Sequence, residues 1–189
     1  MKEKGFTLIE LLISTGLSLI VLVIGGGILL HGVRTQETAD TVTNAANTAQ
    51  QIVRSIQSGV RNASAITVTT DVLAGTQLLL ARTVGSSPNS TAASCQAWYY
   101  TPMNGGKVYT KRTYPASVIS LPNGGPAGAW LLLGSGITPS DPVTGKVFSA
   151  PSGGRVELKF DVAAGNHPYV LINTMTYASR STAVSAPCF

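Results

Sequence analysis

Lys4-Gly5-Phe6-Thr7-Leu8-Ile9-Glu10-Leu11-Leu12-Ile13-Ser14, with the apolar run that continues to Val33, decides how the rest of this chain is read. Between Phe6 and Val33 the only formal charge is Glu10. About 28 residues of this kind form a helix roughly 42 Å long, enough to cross a bilayer with a turn or two to spare. Lys2 and Lys4 stand in front of it, and behind it Arg34 is soon offset by Glu37 and Asp40. This bias predicts the N-terminus in the cytoplasm and everything after the run on the other side of the membrane.

A secretory signal peptide also opens with basic residues and an apolar stretch, but it fits this segment poorly. The run is too long for the apolar region of a signal, no small-x-small site closes it, and Glu10 lies inside it. A carboxylate at membrane depth costs about 2.5 to 3.5 kcal/mol on insertion scales and implies a function. Glu10 therefore needs a cation. A cut between Gly5 and Phe6 would supply one, by creating an α-amino group four residues upstream on the same helical face.

Lys4-Gly5-Phe6-Thr7-Leu8-Ile9-Glu10 resembles the prepilin motif of type IV pilins and type II secretion pseudopilins, residue by residue through leader and anchor. The resemblance implies a membrane peptidase that cuts after Gly5 and methylates the new N-terminal Phe6. It also implies that Glu10 docks each subunit into a growing filament by pairing with a neighbouring N-terminus. Implied partners are other pilin subunits through the N-terminal helix, the prepilin peptidase, the inner-membrane assembly platform, and the membrane itself before assembly. The implied location is the cytoplasmic membrane first and an extracellular or periplasmic filament afterwards. Many type IV pilins carry a Pro in the second half of the anchor; this chain has Gly25-Gly26-Gly27 instead. Glycines there either loosen the helix, by about 1 kcal/mol each relative to Ala, or allow close helix packing.

The helix is expected to run past the membrane surface. From Thr35 to Arg61, apolar residues at Ala39, Val42, Ala46, Ala49, Val53, Ile56 and Val60 alternate steps of three and four, one helical stripe. Polar residues, among them Asn44, Gln51, Arg54 and Ser58, take the opposite face. Gly59 and Asn62-Ala63-Ser64 signal the end. The expected organisation is residues 1–5 as leader, 6–33 as the transmembrane and filament-core half of the helix, 34–61 as its amphipathic half, and 62–189 as a β-rich head. The fold class is α+β and pilin-like, a long N-terminal helix packed on an antiparallel sheet.

Short β-branched and aromatic runs between Gly, Pro, Asn and Ser clusters predict strands at 65–70, 77–83, 96–101, 107–113, 129–133, 155–162 and 169–177. Arg155 to Val162 alternates without error, with Val156, Leu158, Phe160 and Val162 toward a core. Asn104-Gly105-Gly106 reads as a hairpin turn, and 85–94 and 121–128 as surface loops. The segment from Trp98-Tyr99-Tyr100 through Gly105-Gly106 to Val108-Tyr109 and Arg112 also resembles, more loosely, the hairpin of W-type minor pilins and J-type minor pseudopilins. Two cysteines, Cys95 and Cys188, suit an exported domain with one bridge. Closing that loop would contribute roughly 4 to 5 kcal/mol by the chain-entropy argument. Two unpaired thiols are the other arrangement open to the sequence. Type IV pilins often tie their C-terminus to the sheet by such a bridge.

No enzymatic motif is legible: no Gly-x-Ser-x-Gly, phosphate loop, dinucleotide fingerprint or paired carboxylates. His31 lies at the rim of the anchor and His167 in the turn-like Asn166-His167-Pro168, neither with a metal-ligand companion. Asp141-Pro142-Val143-Thr144-Gly145 lacks the ligand density that Ca²⁺ requires. The expectation is no enzyme, no cofactor and no metal. Beyond Asn62, eight basic residues stand against four acidic ones. Lys107, Tyr109, Lys111 and Arg112 interleave cations with an aromatic, the residue types that bind a nucleic-acid backbone and stack on bases; a solvated strand face needs such charges as well.

The leading reading is a minor pilin that acts in filament assembly or initiation. A major pilin, a type II secretion pseudopilin and a competence-type DNA-binding pilin are the alternatives within the class. From another class, the rival is a membrane-anchored module that binds DNA or a surface ligand.

Overall fold

A computed structural model describes residues 7–84, 93–122, 124–151, 154–178 and 186–189. The element order is α1 (Leu8–Arg61), β1 (Ala63–Asp71), β2 (Thr76–Val84), β3 (Ala93–Thr101), β4 (Lys107–Thr113), β5 (Leu131–Ser135), β6 (Ile137–Pro139), β7 (Phe148–Ser149), β8 (Arg155–Ala164) and β9 (His167–Tyr177). The chain divides into two compact units, one ending at Thr41 and the other running from Val42 to Phe189.

In the first unit every described residue as far as Glu37 is exposed, so none of the described residues covers its leucines, isoleucines and valines. Hydroxyls inside this apolar helix do not stay free. Thr15 and Ser18 donate back to the carbonyls of Leu11 and Ser14 at 3.0 and 2.8 Å. Ser14 does the same to Leu11 at 3.0 Å. Polar side chains satisfied within the helix suit a lipid environment, where no water can serve them. The helix is unbroken through Gly25-Gly26-Gly27, and a Cβ at any of the three would meet nothing within 4 Å. The openness these glycines provide is therefore not used by the chain itself.

In the second unit, α1 buries Ala45, Ala49, Ile52, Ile56, Gly59 and Val60. Three of the seven residues expected to form the buried stripe lie off the core, and a fourth, Val53, packs on it while only half-buried. Ala39 and Val42 are exposed and Ala46 and Val53 only half-buried, while Ala45 and Ile52 take the inner positions. The inward face is thus turned by one position. Alanines carry little burial energy, so an Ala-rich pattern of threes and fours is satisfied almost equally by adjacent faces. Gly59 is also not a terminator. The helix continues to Arg61, and a Cβ at Gly59 would run into the Trp98 indole.

The head has two antiparallel sheets. One follows the order β1-β2-β3-β4-β5; in the other β8 is central, paired with β6 and β7 and, on its far side, with β9. One core joins α1 to both sheets, with Trp98, Tyr100, Val108, Ile137, Phe148, Leu158 and Phe160 buried. The expected inward set of Val156, Leu158, Phe160 and Val162 belongs to it. A second, smaller cluster lies on the other face of the first sheet, where Leu78, Leu80, Ala97 and Tyr99 pack with Ile119 and Cys188. Burial raises the Tyr100 hydroxyl above the ordinary tyrosine range.

The β3–β4 turn is as expected, with Asn104, Gly105 and Gly106 at φ 53°, 81° and 72°. Gly106 is required twice, because its left-handed backbone disfavours a side chain and a Cβ there would collide with the Ile137 carbonyl. The short strands β6 and β7 were not expected, nor was the strand start at His167, which pairs with Ala164 rather than lying in a loop. Ser94 is likewise a fully buried residue of β3 and not the end of a surface loop; residues 85–92 of that loop lie outside the described residues.

Candidate assembly site

Gly5 and Phe6, the expected positions of cleavage and methylation, lie outside the described residues, as do Lys2 and Lys4. The described chain begins at Thr7, which caps the helix. Its carbonyl accepts from the N–H groups of Glu10 and Leu11 at 3.1 and 3.2 Å, and its Oγ1 accepts from Glu10 N–H at 3.4 Å. Thr7-Leu8-Ile9-Glu10 thus has the Thr-x-x-Glu spacing of a capping box, a local signal that the reading of the sequence did not use. Glu10 stands in the first helical turn, where the positive end of the helix dipole favours a carboxylate. It is exposed, and among the described residues its carboxylate makes no ion pair. The only side-chain ion pairs among those residues join Glu157 to Arg155 and Lys159, at 3.0 and 3.5 Å.

An apolar helix surface from Leu8 to Val33 with one unpaired carboxylate near its start has a definite physical consequence. In lipid, or in a bundle of like helices, the cheapest way to keep Glu10 ionised is a nearby cation, and none of the described residues supplies it.

In the head, Cys95 and Cys188 form a disulfide, both residues fully buried. The tail is held further by Arg82 Nε–H, which donates to the Ala186 carbonyl at 3.0 Å, and by Ile119 N–H, which donates to the Cys188 carbonyl at 3.4 Å. The C-terminal tail is thereby pinned at Cys188 to the outer face of the first sheet.

The four residues considered for nucleic-acid contact do not form one patch. Lys107, Tyr109 and Lys111 share a face of β4, and Arg112 points to the other, where Nη2 and Nε donate to Ser94 Oγ at 3.1 and 3.3 Å. The aromatic surface is already engaged. Tyr99 packs on Tyr109 and Trp130 with ring centroids 6.4 and 5.8 Å apart, and Lys111 Nζ stands 5.9 Å from the Trp130 ring. A polyanion would meet these cations on two sides of the strand.

Among the described residues no group of three or more His, Cys, Asp or Glu could hold a metal ion. Asp141 is occupied in its own turn. Its carboxylate accepts from the Thr144 hydroxyl at 2.9 Å and from Val143 N–H at 2.9 Å, and these bonds, the Thr144 one foremost, hold its pKa below the ordinary carboxylate range.

Comparison with known families finds one match. Residues 1–26 fit the family model described as the prokaryotic N-terminal methylation motif, the prepilin signature of type IV pilins and pseudopilins. No curated protein and no solved structure matches the chain.

Proposed function

We propose that this chain is a structural, non-enzymatic subunit of a type IV pilus or pilus-like filament, and within that class a minor pilin acting in assembly or initiation. The observation that carries the reading is the methylation motif at residues 1–26 standing at the head of a long apolar helix that the described residues leave uncovered. Such a helix is held by lipid before assembly and by other subunits afterwards. In this reading Gly5 is the last leader residue, because a residue without Cβ fits closely against a peptidase, and Phe6 is the methylated N-terminus. Glu10 is the docking residue, paired with the α-amino group of a neighbouring subunit. The N-terminus faces the cytoplasm and the head is exported, in keeping with a buried disulfide. The minor-subunit part rests on the β3–β4 hairpin, where an aromatic strand, a Gly turn and a strand bearing Arg112 follow one another.

Mass spectrometry of the mature protein tests this reading. The expected N-terminus is N-methylated Phe6, and Gly5→Leu should leave the precursor uncut. Glu10→Ala should still be inserted and cleaved but should enter few or no filaments. A mature protein that begins at Met1 would refute the processing step. A Glu10→Ala subunit found in filaments at wild-type stoichiometry would refute docking through that carboxylate.

A further inference from the structure

The second sheet has one long edge, β9, that no other described strand pairs. Among the described residues β9 pairs only with β8, and its backbone makes no other hydrogen bond between Pro168 and Thr176. In an antiparallel pair, alternate residues direct their N–H and C=O groups away from the partner strand. Such a row is a template for another chain, and natural edges are commonly blunted by charged side chains. From Pro168 to Tyr177 there is no charged residue, and the single proline stands at the beginning.

This edge looks onto the flank of the second half of α1. Between them lies a groove of about 520 Å³, lined by Gln50, Val53, Arg54 and Gln57 from the helix and by the stretch of β9 from Leu171 to Thr174, of which Ile172 and Thr174 lie on the helix-facing side. Arg54 carries the only formal charge on its walls. Its guanidinium donates to the neutral Gln50 Oε1 at 3.2 Å and has no carboxylate within ion-pair distance among the described residues. The groove thus offers a strand edge, the two glutamine amides of its helix wall, and one cation without a carboxylate partner among the described residues.

We propose that this groove binds an extended segment of a partner polypeptide, which pairs with the free edge of β9 and sets a carboxylate side chain against Arg54. Side chains alternate along a strand, so the acidic residue faces the helix while its neighbours face the opposite side of the sheet. There Leu171 and Met175 stand 65% and 51% exposed, and apolar residues of the incoming segment would cover them. Backbone pairing supplies affinity in this mode of recognition, and the alternating side chains supply selection. The inference rests on the head alone and does not depend on how the N-terminus is processed.

The test uses the full chain in detergent micelles and a fluorescein-labelled peptide, Val-Thr-Val-Asp-Val-Thr, read by anisotropy. Saturable binding is expected, weakened about tenfold or more when the peptide Asp is replaced by Lys, and abolished when alternate backbone amides of the peptide are N-methylated. Arg54→Glu, at an exposed position, should invert the preference and favour the Lys peptide, with the fluorescence of buried Trp98 unchanged as a check on folding. Equal binding of the two peptides, indifference to Arg54→Glu, or no saturable binding up to about 1 mM would overturn the proposal. So would sedimentation showing a dimer that Leu171→Lys dissolves, since the edge would then belong to a second copy of the chain.

Discussion

Gln77 offers the sharpest test of how the two sheets are held together. It lies on β2, is 1% exposed, and makes three hydrogen bonds through its amide. Nε2 donates to the Gly145 carbonyl at 2.9 Å, while Oε1 accepts from Val147 N–H at 3.0 Å and Phe148 N–H at 2.9 Å. One side chain of the first sheet thereby fixes the segment that becomes β7 of the second. Gln77→Leu keeps an apolar body of similar size and removes all three bonds. Gly145 is only half-buried and water can reach its carbonyl, but Val147 and Phe148 are buried, and each orphaned N–H costs about 1–3 kcal/mol. The expected loss is about 2–5 kcal/mol, reduced somewhat by the better transfer of Leu into the core. Urea unfolding of the oxidised protein in micelles, followed by Trp98 fluorescence, should show the midpoint lowered by about 1–2 M at an unchanged slope of about 1–3 kcal/mol/M. Gln51→Ala, on the exposed face of α1, should stay within about 0.5 kcal/mol of wild type. If Gln77→Leu unfolds within that same margin, the amide does not fasten the sheets and the reasoning fails.

Gly59→Ala should destabilise the head by about 1–3 kcal/mol through overpacking against Trp98, although Ala is the better helix former; in a Trp98→Phe background the same change should become neutral or favourable, and equal effects in both backgrounds would refute the contact. Cys188→Ser opens a loop between residues 93 apart in sequence and should cost about 4–5 kcal/mol by the chain-entropy argument, so a loss under about 1 kcal/mol in the same unfolding assay would count against it. Thr144→Val should move the Asp141 pKa up toward the ordinary carboxylate range, as followed by carboxyl NMR. Because the folded-state pKa of Asp141 is depressed, its contribution to stability is present above the unfolded pKa, about 3.9, and is lost as pH falls through the folded value. The Thr144→Val protein should therefore show a weaker acid-side dependence, and an unmoved pKa would remove Thr144 as its main cause.

The sequence by itself determined what depends on neighbours along the chain. The apolar run with Glu10 inside it, the period-two pattern of Val156 to Val162, and the Asn104-Gly105-Gly106 turn are each contiguous, local signals, and each is found in the structure. What only the tertiary structure decided depends on what is laid against a residue. Alanines suit either of two adjacent helix faces, so the inward choice of Ala45 and Ile52 over Val42 and Ala46 had to come from the sheets. A glycine has no side chain to declare its purpose, and Gly59 reads as a helix end until Trp98 lies over it, with its indole N–H donating to Ser55 one turn earlier at 2.9 Å. Strands of two or three residues, such as β6 and β7, are too short to show a period and exist only because β8 pairs with them. A buried glutamine whose partners lie about seventy residues away, and a strand edge beside an arginine that no described carboxylate pairs, are relations between distant segments. No local pattern encodes them, because folding alone brings those segments together.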